Sequence, residues 1–179
     1  MAQFTRQHYV TQFGPTTGDR FRLADTDLIC EIERDLTVPG DELTIGTSKN
    51  VRDGMGMLPG MTNAEGVLDL VIINVIIMDP VLGILKADLG VKNGRIAGIG
   101  KAGNPAIMDD VDPNLVVGTG TEVIDGTHLI ATAGVIDSHV HYTTPEHAVY
   151  ALSNGTTTFV GGGTGPATGT LGTTCTPGP

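Results

Sequence analysis

Residues 67–79 read VLDLVIINVIIMD, a run of β-branched and other apolar residues that Asn74 breaks in its middle. Valine and isoleucine favour extended backbone, so the run predicts a buried strand that bends at Asn74 and continues as a second strand. Shortly after it, Asn93-Gly94 separates two further apolar segments. Asn-Gly is a strong hairpin signal, because both central residues of a type I′ turn need positive φ. This part of the chain is therefore predicted to be a sheet.

The segments on either side extend the same prediction. Between residues 20 and 46, short alternating stretches are separated by Asp-Thr-Asp and Pro39-Gly40, which indicates strands joined by turns. We expect an antiparallel, sandwich-like β unit over most of residues 20–131. A short helix precedes it, capped by Thr5 and ended by Gly14.

After residue 131 the pattern changes from strands and turns to strand, helix and strand. A long apolar strand ends in DSHVH, the helix PEHAVYALSN follows a Thr144 cap, and TTTFV at 156–160 predicts the next strand. Such a unit has parallel strands and begins an α/β domain. The fold class is thus mixed: a β-rich domain over 1–131, then the first βαβ elements of an incomplete (β/α)8 barrel over 132–179, since a whole barrel needs roughly 200 residues or more.

Chemistry is most plausible at His139 and His141, within DSHVH. Side chains alternate along a strand, so both imidazoles and Asp137 project from one face. They would lie at the carboxyl end of a parallel strand, where α/β barrels place their active sites. A lone H-x-H is a weak signal, and chance alternation of two polar residues remains open. His147, in the following helix, is predicted to be solvated.

Composition excludes several function classes. Ten basic and twenty acidic residues give a formal charge of −10, which disfavours binding to nucleic acid or to an anionic membrane surface. Cys30 and Cys175 stand far apart and indicate neither a disulfide framework nor a thiolate metal site. The absence of a signal-peptide pattern and of a membrane-spanning apolar run predicts a cytoplasmic protein. The glycine-rich VGGGTGPATGT lacks a phosphate-binding cation, because no lysine or arginine follows Lys101.

Several stretches together resemble the N-terminal portion of the large (alpha) subunit of urease, a member of the amidohydrolase superfamily. The resemblance covers nearly the whole chain. The stretches that carry it, in order, are FGPTTGDRFRLADTDL, RDGMG, KADLGVKNGRIAGIGKAGNP, TEVIDG, TAGVIDSHVH, GTTTFVGGGTGPATGT and TTCTPGP.

The resemblance implies nickel-dependent hydrolysis of urea to ammonia and carbamate. In the family, two nickel ions are bridged by a carbamylated lysine and a hydroxide and are bound by four histidines and an aspartate. His139 and His141 match the first two histidines, and Gly172 lies near the position of the substrate pocket, where the family often has alanine. The other ligands and the catalytic histidine lie, in the family, beyond the matched region, so no catalytic residue is assigned within this chain.

The resemblance also implies beta and gamma subunits, or equivalent regions, as partners, with the full enzyme a multimer of heterotrimers. By itself the chain is expected to be catalytically incomplete. Two alternatives are a non-catalytic assembly or interaction module and another metal-dependent amidohydrolase, such as a dihydroorotase-like enzyme.

Overall fold

The computed structural model describes residues 3–46, 51, 54–141 and 144–162. The chain divides into two compact units between Thr132 and Ala133. The first unit contains α1 (Arg6–Phe13), β1 (Arg20–Arg22), β2 (Ile29–Glu31), β3 (Arg34–Asp35), a 3-10 helix (Asn63–Glu65), β4 (Leu70–Asp79), β5 (Gly83–Lys92), β6 (Arg95–Gly100), β7 (Glu122–Asp125) and β8 (Ile130–Thr132). The second contains β9 (Val135–His141), α2 (Glu146–Ser153) and β10 (Thr156–Gly162).

A six-stranded sheet forms the centre of the first unit, and β4 and β5 are its middle strands. The pairs β4–β5 and β5–β6 are antiparallel, whereas β3 pairs parallel with β5, and β7 and β8 pair parallel with β4. The β-rich prediction is confirmed, but the antiparallel prediction is wrong for these three strands. Hairpins enforce antiparallel pairing only between strands they join, and residues 101–121 separate β6 from β7, which leaves their direction free.

Two local predictions, the Asn93-Gly94 turn and the ends of α1, are confirmed. Asn93 and Gly94 have φ of 51° and 68° and form the turn between β5 and β6. The side chain of Thr5 accepts a hydrogen bond from the backbone N–H of His8, and Gly14 ends α1 with φ of 83°. The turn and the helix ends both depend only on residues that lie close together in sequence.

Asn74 makes β4 change faces partway along its length. It has φ of 54°, and the pairing with β5 shifts register between Ile72 and Val75. Before this bulge, Val71 and Ile73 belong to one apolar cluster; after it, Val75 and Ile77 belong to a second. An inserted residue inverts the alternation of a strand, so odd-numbered residues of β4 lie in the first cluster before the bulge and in the second cluster after it.

Loop residues, and not a second sheet, cover the first of these clusters. Leu43, Val51, Met108, Leu115 and Val117 are buried there and lie outside regular strands. The sandwich-like expectation is therefore wrong for this face. Alternating sequence shows that a strand has an apolar side, but it carries no information on what packs against that side.

The strands β7 and β8 follow one another along the same edge of β4 and do not form a hairpin. Between them, the Gly126 N–H donates to the Ile73 carbonyl at 2.8 Å. A Cβ on Gly126 would lie 2.8 Å from that carbonyl oxygen and 2.8 Å from the Val75 Cβ. Glycine is required because the backbone runs directly against the bulge.

A buried lysine attaches α1 to the sheet. Lys86, in β5, has no exposed surface, and its ammonium donates to the Tyr9 hydroxyl at 2.9 Å and lies 3.4 Å from the Asp35 carboxylate. Burial, reinforced by the neighbouring Glu42 carboxylate, raises the pKa of Tyr9 above its ordinary value. The phenol therefore stays neutral and accepts the hydrogen bond from Lys86.

In the second unit, β9 and β10 are parallel neighbours connected through α2, which gives one βαβ unit. Although the sequence of β9 is largely apolar, Val135 and Ile136 are 55% and 64% exposed. Among the described residues of the unit, β9 pairs with β10 alone, and Asp137 and Val140 are its half-buried residues. None of the helices in the described part of the chain is long and apolar enough to cross a membrane.

We expect Tyr9→Phe to lower the free energy of unfolding by about 1–3 kcal/mol, because it removes the oxygen that accepts a hydrogen bond from a fully buried ammonium. Guanidinium chloride denaturation of the 179-residue chain measures this change. Tyr150→Phe is the matched control, because Tyr150 is 64% exposed, and should change stability by less than about 0.5 kcal/mol. Equal effects of the two variants would contradict the proposed attachment of α1.

Candidate metal centre

The last residues of β9 place three polar side chains on one face. Asp137, His139 and His141 alternate with Ser138 and Val140, and the two imidazole ring centroids lie 5.3 Å apart with 64° between the ring planes. The structure thus brings the two histidines together as the alternation predicts. Both are exposed, so a ligand can reach them from solvent.

Backbone contacts hold this end of the strand. The Asp137 Oδ1 accepts the His139 backbone N–H at 3.1 Å. On the neighbouring strand, Gly161 and Gly162 pair with Val140 and His141. A Cβ on Gly161 would lie 1.9 Å from the Val140 carbonyl oxygen, so the close pairing of the two strand ends requires glycine there.

The spacing of the two rings fits a shared metal ion. With metal–nitrogen bonds of about 2.1 Å and ligand angles of about 90–115°, two imidazoles on one ion have ring centroids about 4.6–5.5 Å apart. The observed 5.3 Å lies in that range. Imidazole nitrogen is a suitable ligand for nickel, zinc, copper and iron, so the donor set accepts nickel without selecting it.

Within residues 3–46, 51, 54–141 and 144–162, no group of three or more His, Cys, Asp or Glu side chains is arranged to hold a metal ion. His147 lies half-buried in the first turn of α2. His8 packs edge-on against the Phe4 ring, and His128 Nε2 lies 3.1 Å from the Thr11 carbonyl oxygen. Among the described residues, the candidate site therefore consists of the His139 and His141 pair on β9.

Comparison with known proteins identifies the family of this chain. The family model described as urease alpha-subunit, N-terminal domain, matches residues 2–124. The chain belongs to the urease alpha-subunit family. It is 57% identical to the urease subunit alpha of Yersinia enterocolitica and 56% identical to that of Yersinia pestis strain Pestoides F, each over 179 residues. These matches cover 100% of the chain and 31% of each relative.

Membership of the urease alpha-subunit family favours the interpretation of the chain as part of a urease over its interpretation as another metal-dependent amidohydrolase. It does not by itself test the assignment of individual ligands, so the roles of His139 and His141 stay predictions. Gly172 and most of the glycine-rich segment after β10 lie outside the described residues.

Several buried ionisable side chains in this urease-family chain were not singled out by the sequence patterns. Lys86, Asp88 and Lys101 are each at most 2% exposed. Lys101 is bonded to the Asp41 carboxylate and to the Asp109 carbonyl. A signal was present for two of them, since Lys86 and Asp88 interrupt the apolar strand GILKADLGV at alternate positions and so share one face.

Proposed function

We propose that this chain supplies the first strand of the catalytic barrel of a urease alpha subunit, and that His139 and His141 bind one nickel ion there. The observation that carries the proposal is the pair of imidazoles 5.3 Å apart at the carboxyl end of a parallel strand. Family membership supports it, since a urease acts on urea. Parallel strands end where α/β barrels place catalytic groups.

Nickel, when bound, supplies Lewis-acid polarisation of the urea carbonyl and lowers the pKa of a coordinated water. The residues of this chain hold and orient it. Because side chains alternate along a strand, both imidazole rings project from the same face of β9. The hydrogen bond from the His139 N–H to the Asp137 carboxylate holds the backbone next to the pair. Metal binding needs neutral imidazoles, so it weakens as the pH falls.

The complete enzyme extends beyond what this chain spans. The chain corresponds to 31% of the length of its curated relatives, and we propose that the second nickel ion and the remaining ligands are held by the rest of such a subunit. Association with beta and gamma subunits in a multimer, a substrate contact at Gly172 and a cytoplasmic location belong to the same proposal.

A second function, an assembly module without turnover, is favoured by one observation. The described residues supply only two imidazoles at the candidate site and no cluster of three ligands. A catalytic metal generally needs three protein ligands. The two functions differ in what happens when the chain is joined to the missing part of a subunit.

Nickel binding to the 179-residue chain tests the ligand pair. We expect His139→Ala and His141→Ala each to lower the affinity for Ni²⁺ by on the order of tenfold or more, because each leaves a single imidazole at the site. Calorimetric titration of the chain, with chelator treatment beforehand, measures the affinity. His8→Ala is the matched control, since His8 packs against Phe4 in α1. An equal loss in His8→Ala would contradict the assignment.

Urea hydrolysis tests the catalytic proposal. We expect no ammonia release from urea by the chain alone. A chimaera in which the chain replaces the matching stretch of the Yersinia enterocolitica alpha subunit, assembled with its partners and nickel, should be active. In that chimaera, His139→Ala and His141→Ala should each lower activity on the order of a hundredfold or more, with His8→Ala unaffected.

Two results would contradict these expectations. Turnover by the chain alone would overturn the incompleteness of its site. A nickel-loaded chimaera that assembles but does not hydrolyse urea would favour the assembly module.

A further inference from the structure

The chain contains the dipeptide Asn-Gly twice, at Asn93-Gly94 and at Asn154-Gly155. Asparagine is chemically labile in such a pair, because the backbone nitrogen of the next residue can attack its side-chain amide carbon. Glycine has no side chain and leaves that approach open. Both pairs are exposed to solvent, so sequence and exposure alone assign them the same reactivity.

Hydrogen bonding separates the two pairs. The Gly155 N–H donates to the Leu152 carbonyl at 3.1 Å, at the end of α2. Among the residues that the structure describes, the Gly94 N–H has no acceptor and the Asn93 side-chain amide has no hydrogen-bond partner. The nitrogen attacks only after it has lost its proton, and a hydrogen-bonded N–H gives up its proton less readily. Gly94 therefore presents the more reactive nitrogen.

The backbone of Asn93 is held by a neighbouring carboxylate. The Asn93 N–H donates to Asp69 Oδ2 at 2.6 Å, and the Lys92 ammonium donates to Asp69 Oδ1 at 3.0 Å. The hydrogen bond from the Asn63 side chain, with those from Asn93 and Lys92, lowers the pKa of Asp69 to about 2. Asp69 thus stays ionised around neutral pH and restrains the turn, while the Asn93 side chain and the following nitrogen remain free to react.

We propose that Asn93 is a site of spontaneous deamidation in the folded chain and that Asn154 is protected. Hydroxide removes the proton of the Gly94 nitrogen, which then bonds to Asn93 Cγ. The Cγ–Nδ2 bond breaks, and Nδ2 takes a proton from water and leaves as ammonia. One water molecule opens the cyclic imide at either carbonyl carbon, which gives aspartate or isoaspartate at position 93. An amide and water become an acid and ammonia, with no oxidation or reduction.

The isoaspartate product changes the hairpin between β5 and β6. It routes the main chain through the former side chain and so adds a methylene group to the turn. That turn sets the pairing of Lys92 with Arg95, since loop length fixes the register of a hairpin. Either product also adds a negative charge to a residue that is bonded to the Asp69 carboxylate, and like charges repel. Among the described residues β6 pairs with β5 alone, so β6 is the strand that loosens.

Ageing of the folded 179-residue chain at mildly alkaline pH tests the site. Peptide mass spectrometry with electron-transfer fragmentation measures aspartate and isoaspartate at positions 93 and 154. We expect Asn93 to convert at least about fivefold faster than Asn154, the factor that one hydrogen bond supplies. In guanidinium chloride the two rates should converge, because unfolding removes the bond from Gly155 to Leu152. Equal rates in the folded chain, or an unequal ratio that persists after unfolding, would overturn the proposal.

Matched variants and hydrogen exchange connect the reaction to the hairpin. Asn93→Gln lengthens the side chain, so a larger ring would have to form, and should abolish modification at position 93. Asn154→Gln is the control and should leave it unchanged. In the isoaspartate fraction of the wild-type chain, the amides of β6 should exchange faster, with those of β7 unchanged. Unaltered exchange in β6 would overturn the loosening, and the wild-type comparison of the two positions decides the site even if Asn93→Gln does not fold.

Discussion

The two hydrogen bonds that the Asp88 carboxylate accepts join the bulge of β4 to the segment after β6. A bulge leaves a backbone N–H of β4 outside the ladder, and an unpaired buried N–H costs free energy. Asp88 satisfies it at Asn74, and its second oxygen satisfies Ala102 beyond β6. The bulge turns Val75 and Ile77 to the opposite face from Ile73, so these fully buried residues of β4 lie in two different clusters.

Features determined by neighbouring residues could be predicted from the sequence. Asn93-Gly94 specifies its turn through positive φ, and Thr5 caps α1 through a bond that spans three residues. The break at Asn74 could be predicted too, since a polar residue at the centre of a β-branched run signals an interruption. Its geometry could not, because it depends on Asp88, which lies fourteen residues away.

The direction of the strands and the segments that cover the sheet could not be predicted from local patterns, because they too depend on residues distant in sequence. The parallel pairing of β7 with β4 depends on the path of residues 101–121, and alternation in EVID is the same for either direction. Leu115 and Val117 cover an apolar face from irregular backbone, with no periodicity to reveal it. The contact of the buried Lys86 could not be predicted, because its partner Tyr9 is 77 positions away.

The candidate site could likewise be predicted from the sequence only where it depends on neighbouring residues. His139 and His141 share a face because side chains two positions apart in a strand project to the same side. The 5.3 Å between their ring centroids follows from this spacing. A metal centre also needs ligands from other strands, and the spacing of two residues on β9 says nothing about those. The proposal of nickel therefore depends on the family and not on the pair, because imidazole is a suitable ligand for nickel, zinc, copper and iron. What the pair adds independently of the family is proximity, since two imidazoles carried by one strand lose less conformational freedom on binding than ligands brought together from mobile segments.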